Sequence, residues 1–257
     1  MENLEKDVVI SESTNCFKKK IPLISIITVV YNGEKFIEQT IKSVLQQTYK
    51  NVEYIIIDGG STDNTVNIVK KYDEYISYWK SESDSGIYDA MNKGITLCNG
   101  EIIGIINSDD WYEPKTLEII AEHYVKYPET DVFHGVLRFI KNEKEYFVRG
   151  SNNGAIFDGM FEHPTYFIKR RIYDKFGLYS LHYKSASDLD YICKLTISNV
   201  KFLFIPTIFT NFRVGGISNS QKSHLETLKI KRKYRFIGTL KYFVEILKLY
   251  IRHFTSL

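Results

Sequence analysis

The sequence predicts an α/β fold: a mostly parallel, Rossmann-like sheet flanked by helices, with a helical extension at the C-terminal end. Three observations predict it. Residues 23–30, 52–57 and 102–106 are almost continuously apolar and rich in β-branched side chains, the pattern of strands buried on both faces. Each run stops abruptly in a polar turn: Tyr31-Asn32-Gly33, Asp58-Gly59-Gly60-Ser61-Thr62-Asp63 and Asn107-Ser108-Asp109-Asp110. Apolar residues then recur at helical spacing, as Phe36, Ile37, Ile41, Val44 and Leu45 do after the first turn. Strand, turn and helix in repetition give a doubly wound sheet.

The elements follow in order. Residues 1–20 are polar, and Lys18-Lys19-Lys20 precedes no long apolar core, so they read as a flexible leader and not as a signal peptide. After the first two strand–helix units, with Val66, Ile68 and Val69 inward on the second helix, residues 75–80 read as a short third strand. Ser83-Asp84-Ser85-Gly86 is a loop, and residues 87–97 form a helix ending near Asn99-Gly100. The strand at 102–106 delivers the paired aspartates. Pro114 suits the first turn of a helix that runs to about Tyr127. From Asp131 the rhythm changes: residues 132–140 and 145–149 flank a hairpin turn, 151–154 is loop, 165–168 a strand, and 171–176 a short helix stopped by Gly177. Residues 187–198 are helical, with Leu189, Ile192, Cys193 and Leu195 inward. Two strands, 202–205 and 208–212, surround Pro206.

Composition narrows the class. A chain of 257 residues with 44% hydrophobic and 25% charged residues is an ordinary globular protein of one large or two small domains. No run reaches the roughly 18 apolar residues of a membrane span. Cys16, Cys98 and Cys193 are odd in number and widely separated, which argues against a disulfide framework and for a reducing, cytosolic setting. Charge is uneven: the chain carries +3 overall, but residues 221–257 hold nine Lys/Arg against two Glu. The remainder is mildly acidic, and the tail is matched to an anionic partner. Residues 222–254 read as one or two basic amphipathic helices, with Leu240, Phe243, Val244, Leu247, Tyr250, Ile251 and Phe254 as one stripe. That stripe either packs on the domain or lies on an anionic membrane.

Asp109 and Asp110 stand where an open α/β sheet binds ligands, just beyond the carboxyl end of a strand. Adjacent carboxylates suit a hard divalent cation that bridges to phosphates; they suit a helix N-terminus equally well. The wider set of motifs decides between them. In order, spacing and strand-end placement, Ile26-Ile27-Thr28-Val29-Val30-Tyr31-Asn32-Gly33, Ile57-Asp58-Gly59-Gly60-Ser61-Thr62-Asp63-Asn64-Thr65 and Asn107-Ser108-Asp109-Asp110 resemble a family 2 glycosyltransferase of the GT-A fold. The likeness extends to Phe212-Arg213-Val214-Gly215-Gly216-Ile217-Ser218 and covers roughly residues 21–220. The stretch Ser83-Asp84-Ser85-Gly86-Ile87-Tyr88-Asp89-Ala90-Met91-Asn92-Lys93-Gly94 resembles bacterial enzymes that assemble O-antigen, capsule and other surface polysaccharides.

The resemblance implies a division of labour. Asp58 would accept a hydrogen bond from a uracil N–H, although an Asp before Gly is also an ordinary turn former. Many of the resembled sequences have two successive aspartates here, where this chain has Asp58-Gly59. Thr28 and Tyr31 would frame the pocket, and Asp84 would be another nucleotide-facing group. Asn92 and Lys93 lie on the following helix, Lys93 within reach of the diphosphate. Asp110 resembles the last acid of an Asp-x-Asp motif, the direct ligand of Mn2+ or Mg2+, which would act as a Lewis acid on the leaving diphosphate. Asp109 would contact metal or ribose, and Ser108 replaces the first acid of the motif. His163 resembles a histidine near the metal. Asp188 would be the catalytic base, or else an N-cap, with Asp190 a structural partner. Arg213 would pair with the diphosphate, and Gly215-Gly216 would let its loop close.

The expected activity is metal-dependent, inverting transfer of a sugar from a UDP-sugar to a hydroxyl of a lipid-linked glycan in surface polysaccharide synthesis. Residues 1–20 would be a leader, 21–220 the transferase domain with its nucleotide half ending near 130, and 221–257 the tail. The tail would bring the enzyme to the cytoplasmic membrane face; nucleic acid is not an expected partner. A catalytically silent nucleotide-sugar-binding subunit is the alternative, and its mark would be loss of Asp110 or Asp188. A nucleotidyltransferase would need a basic, Gly-rich loop after the first strand, which Tyr31-Asn32-Gly33-Glu34 does not supply.

Overall fold

The computed structural model describes residues 21–150, 162–215 and 221–255. The leader, the loop at 151–154 and Gly216-Ile217-Ser218 lie outside them. Strands β1 (Ile24–Val30), β2 (Val52–Asp58), β3 (Tyr78–Ser81) and β4 (Ile102–Asn107) are parallel to their neighbours in the order β3-β2-β1-β4. The same sheet continues without a break past residue 130. β8 (Phe167–Lys169) pairs antiparallel with β4 and with β6 (Val132–Lys141). β9 (Phe202–Arg213) runs parallel to β6, and β5 (Trp111–Tyr112) closes on β9.

Burial on both faces explains the apolar runs. Along β1, Ile24, Ile26 and Val30 enter one core, with Ile37, Ile41 and Val44 of α1 (Ile37–Leu45), Ile68 of α2 (Thr65–Lys70) and Leu117 and Ile120 of α4 (Thr116–Lys126). Ile27 and Val29 enter the other, with Met91 and Ile95 of α3 (Ile87–Leu97), Ile172 of α5 (Arg170–Phe176) and Ile192 and Leu195 of α6 (Ser187–Ile197). Alternation sends successive side chains to opposite layers, so both sets of positions are mostly apolar, and the buried Ser25 and Thr28 are hydrogen-bonded, to Glu53 and Tyr54. The parallel register brings Asp58 level with Val30, and Asn107 level with Val29. The turns after β1, β2 and β4 therefore open at one edge.

Several elements differ from expectation. The third strand begins only at Tyr78, after a 3-10 turn at Asp73–Tyr75. A second 3-10 turn, His163–Thr165, replaces the start of the strand expected at 165, because Pro164 has a fixed φ and no N–H for a ladder. The two strands around Pro206 are one. β6 pairs His134 with Phe204 and Val136 with Ile208, and the register shift between them carries Pro206 past the ladder as an irregularity. The hairpin from β6 to β7 (Lys144–Arg149) turns on Asn142 and Glu143, both at positive φ, as a tight hairpin turn requires. The tail forms α7 (Gln221–Lys233) and α8 (Thr239–Thr255). Among the described residues no helix is long and apolar enough to cross a membrane.

Gly104 of β4 faces Phe167 of β8. A Cβ there would lie 2.6 Å from the Phe167 ring and 3.0 Å from Ile26 Cδ1. Gly104→Ala is therefore expected to cost about 1–3 kcal/mol, read as a lower urea midpoint at unchanged slope. A cost within experimental error of zero would show that the ring can move aside.

Candidate active site

The aspartates after β4 are held from α1. Thr40 Oγ1 lies 2.9 Å from Ser108 O and 2.6 Å from Asp110 O. Ser43 Oγ accepts the Tyr112 N–H at 3.2 Å. Gln47 donates to Glu113 O at 2.8 Å and accepts the Leu117 N–H at 3.0 Å. Thr40 and Ser43 share one edge of α1, and Gln47 follows just past its C-terminal end. They form a polar seam in an otherwise apolar face and fix the loop's backbone.

Asp110 is fully buried. Its Oδ1 accepts the Arg213 N–H at 3.1 Å. Its Oδ2 is buried and has no hydrogen-bond partner among the described residues. Burial, and then the charge of Asp109, push the Asp110 carboxyl well above the usual carboxylate range. Burial also raises Asp109. Buried polar atoms are nearly always satisfied, and an orphaned carboxylate oxygen beside a second carboxylate has the donor chemistry of a cation ligand. The pair fits a hard divalent cation such as Mn2+ or Mg2+, whose remaining ligands would be water and phosphate oxygens. Among the described residues no three His, Cys, Asp or Glu side chains gather into such a site, so His163 does not join the pair.

The nucleotide-facing expectations divide. Asp58 is 1% exposed, and its Oδ2 accepts from Gly60 N at 3.2 Å, Ser61 N at 2.9 Å and Ser81 Oγ at 2.5 Å. Ser61 Oγ donates to Oδ1. A carboxylate offers about four acceptor sites, so the turn itself saturates Asp58. Thr28 is fully buried and bonded to Tyr54 OH at 3.0 Å; it is a core residue, which corrects its expected place in the pocket. Asn92 clasps the backbone of Tyr179, donating to its O and accepting its N–H, both at 2.9 Å. Lys93 pairs with Glu82 and Asp89, each at 3.3 Å. Both side chains thus have partners within the protein. Tyr31, by contrast, is 65% exposed, so it is not a packing residue. Asp84 is only half-buried, and its Oδ1 accepts the Gly86 N–H at 2.7 Å. Its Oδ2 lies over Gly59, where a Cβ would come within 2.6 Å.

Asp188 occupies the first turn of α6, but the N-cap is Ala186. Asp188 is therefore not the cap. Its Oδ1 accepts from Tyr88 OH at 2.8 Å, and Tyr88 stands in the first turn of α3, which starts from the loop after β3. This bond draws α6 to the same edge as the aspartate pair. Tyr88 packs on Tyr179, ring centroids 5.8 Å apart, and His163 Nε2 lies 3.3 Å from Tyr179 OH. Loss of water lowers the His163 imidazole, against the pull of the Asp188 charge. The histidine thus belongs to the Asp188 cluster. From α7, Glu226 accepts the N–H groups of Lys184 and Ser185 at 2.9 and 2.8 Å, and Lys233 meets Asp190 at 2.7 Å.

Arg213 presents its backbone to Asp110, while its guanidinium lies between Phe36 and Trp111, 4.0 and 5.0 Å from the ring centroids, and bonds Glu143 and Gln39. Its fork is engaged by protein partners. A groove of about 610 Å³ between α1 and β5, lined by Gln39, Trp111 and Glu113 among others, includes neither Asp110, Asp84 nor Asp188. Thr40 and Tyr88 escaped sequence reading. The signal for Thr40 was the polar spacing 40-43-47; a buried tyrosine at helical spacing gave none.

The model of glycosyl transferase family 2 matches residues 25–187. An uncharacterized glycosyltransferase of Rickettsia typhi is 31% identical over 221 residues, covering 80% of this chain and 69% of that protein. S. aureus TarS in complex with UDP-GlcNAc superposes with a TM-score of 0.70 at 19% identity, over 90% of this chain and 72% of that one. A mannosyltransferase of Pyrobaculum calidifontis in complex with GDP-Man and Mn2+ gives 0.67 at 16% identity, over 85% and 65%. At such identities the likeness concerns the fold, which is the GT-A fold expected.

The buried charge of Asp110 should weaken the metal-free protein. Its carboxyl is raised on folding, so stability falls as pH climbs from the unfolded value near 3.8 through the folded one. Asp110→Asn is expected to gain about 1–3 kcal/mol in metal-free buffer near neutral pH, with the gain shrinking toward pH 4. Urea titrations across that range decide it; a loss of stability at neutral pH would mean that the charge is compensated.

Proposed function

The chain belongs to glycosyl transferase family 2, and on that premise we propose that it transfers a sugar from a UDP-sugar to a hydroxyl of a lipid-linked glycan with inversion, in the assembly of a bacterial surface polysaccharide. The observation that carries this reading is the orphaned Asp110 Oδ2 beside Asp109, at the sheet edge where Tyr88 also holds Asp188. When bound through Asp110 and Asp109, Mn2+ or Mg2+ would supply Lewis-acid stabilisation of the leaving diphosphate; the Mn2+ complex of the mannosyltransferase supports that choice.

Asp188 takes the proton of the acceptor hydroxyl as its oxygen attacks the anomeric carbon. The hydrogen bond from Tyr88 fixes one carboxylate oxygen and leaves the other for the acceptor. A single base with direct displacement inverts the anomeric centre. At the nucleotide, Asp84 accepts the base N–H, because Asp58 is engaged by its own turn. Exposed Tyr31 flanks that base. The choice of uridine draws on the sequence resemblance and on the UDP-GlcNAc complex of TarS.

The test is release of UDP and product from a panel of UDP- and GDP-sugars with a lipid-linked acceptor mixture, with Mn2+ and with EDTA. Turnover is expected with a UDP-sugar and Mn2+ and should vanish in EDTA. Asp188→Asn should lose at least about a hundredfold in kcat, with UDP affinity unchanged. Wild-type turnover in that variant would contradict the assignment.

Asp84→Ala is expected to raise the KM for the donor by about tenfold, the scale of one lost hydrogen bond to a charged group, with a smaller change in kcat. A donor KM equal to that of the wild type would remove Asp84 from base recognition.

A further inference from the structure

Helix α8 has two apolar faces, and the protein uses one. Tyr242, Ile246 and Leu249 are half-buried on the face turned to the body, and α8 packs against α7. On the opposite face Leu240, Phe243, Val244 and Leu247 stand in solvent, Leu240 at 80% and Phe243 and Leu247 at 61% exposed. A lone exposed leucine is ordinary, but a continuous stripe of large side chains marks an interaction surface. Tyr250 and Phe254 extend the pattern in sequence, though their side chains lie outside those described. The packing alternative for this stripe is thereby corrected: another part of α8 makes the intramolecular contact.

Charge identifies the occupant. Exposed Lys241 and Lys248, seven residues apart, line one flank of the stripe. Of the two acids of the tail, Glu226 binds the backbone at Lys184 and Ser185, and Glu245 meets Lys248 at 2.8 Å in an exposed pair worth little in water, for which lipid phosphate is a competing partner. The exposed bases Lys222, Lys229, Arg232 and Arg235 add to the field. Pairing of two copies along the stripe would set like-charged flanks together. An anionic bilayer surface matches both the apolar stripe and the basic rim. We propose that α8 lies flat in the headgroup region of a membrane carrying anionic phospholipid, with Leu240, Phe243, Val244 and Leu247 immersed and Lys241 and Lys248 at the lipid phosphates.

The test is flotation of the full chain with vesicles of phosphatidylcholine alone, or with about 30% phosphatidylglycerol. Binding is expected on the anionic vesicles only, and it should fall several-fold between about 0.1 and about 0.5 M salt. Phe243→Ser with Leu247→Ser should cut partitioning at least about tenfold, and Lys241→Gln with Lys248→Gln should cut it several-fold. Unchanged circular dichroism and unchanged sugar transfer to a soluble acceptor would show that these variants keep the fold. A wild-type chain that stays unbound on anionic vesicles, or a serine variant that binds as the wild type does, overturns the proposal. So does a dimer in sedimentation that the serine variant lacks and that forms without vesicle binding, since it assigns the stripe to a second copy. Vesicle binding is read without sugar transfer, so either reading can fail alone.

Discussion

A carboxylate shut away from water, its charge only partly compensated, is the constraint on which the working edge of this sheet depends. Asp110 accepts the Arg213 N–H with the Asn107 side chain beside it, and the cost of burying such a charge is on the order of several kcal/mol. The Arg213 backbone and charge and the Asn107 side chain offset only part of that cost, so the surroundings must hold the carboxylate in place. β9 places the Arg213 backbone, Phe36 and Trp111 clamp the guanidinium, and Thr40 fixes the carbonyl of Asp110 itself. The double-sided core of β1, β2 and β4 supplies the stability against which this local cost is set. Strain held by an over-determined scaffold is the form that preorganised sites take.

The Asp188 side of the edge is built differently. There the charge is met by a hydroxyl, Tyr88, within a cluster of Tyr179, Tyr173, Tyr191 and His163. Rings with polar tips can pack as core and still hand a hydrogen bond to a carboxylate. Donors from α7 support the same helix, because Glu226 fixes the residues ahead of Asp188 and Lys233 holds Asp190. Asp110 is held because its surroundings are dry, and Asp188 because its surroundings are crowded with rings.

This contrast decides what was legible in the sequence. β1, β2 and β4 were readable because burial on two faces writes an unbroken apolar run, and the bounds of α3 because Gly86 and Asn99-Gly100 punctuate it. β5 was not, since two residues carry no period, and the 3-10 turn at His163–Thr165 was set by Pro164 and by the Thr210 hydroxyl bonded to its carbonyl from 46 positions away. The acid pair was readable from its place at a strand end. The partners of Thr28, Asn92 and Lys93 were not legible because they are remote or ordinary: the Tyr54 hydroxyl, the Tyr179 backbone, the carboxylates of Glu82 and Asp89. No spacing rule announces those partners.

Gly59 shows how a departure from a family pattern can be physically consistent. The resembled sequences often carry a second aspartate at this position, and its loss reads in one dimension as loss of a ligand. In three dimensions the missing side chain is what admits Asp84. A Cβ on Gly59 would meet Asp84 Oδ2 at 2.6 Å, below any ordinary approach, so an aspartate at 59 and this position of Asp84 exclude each other. The carboxylate has been moved from one strand end to the next loop while remaining over the same backbone. Asp58, bonded to Gly60, Ser61 and Ser81, is the pivot of the turn. On the proposed assignment of Asp84 to the nucleotide base, one carboxylate serves the turn and one the ligand, the second arriving 25 residues after Gly59 in the chain.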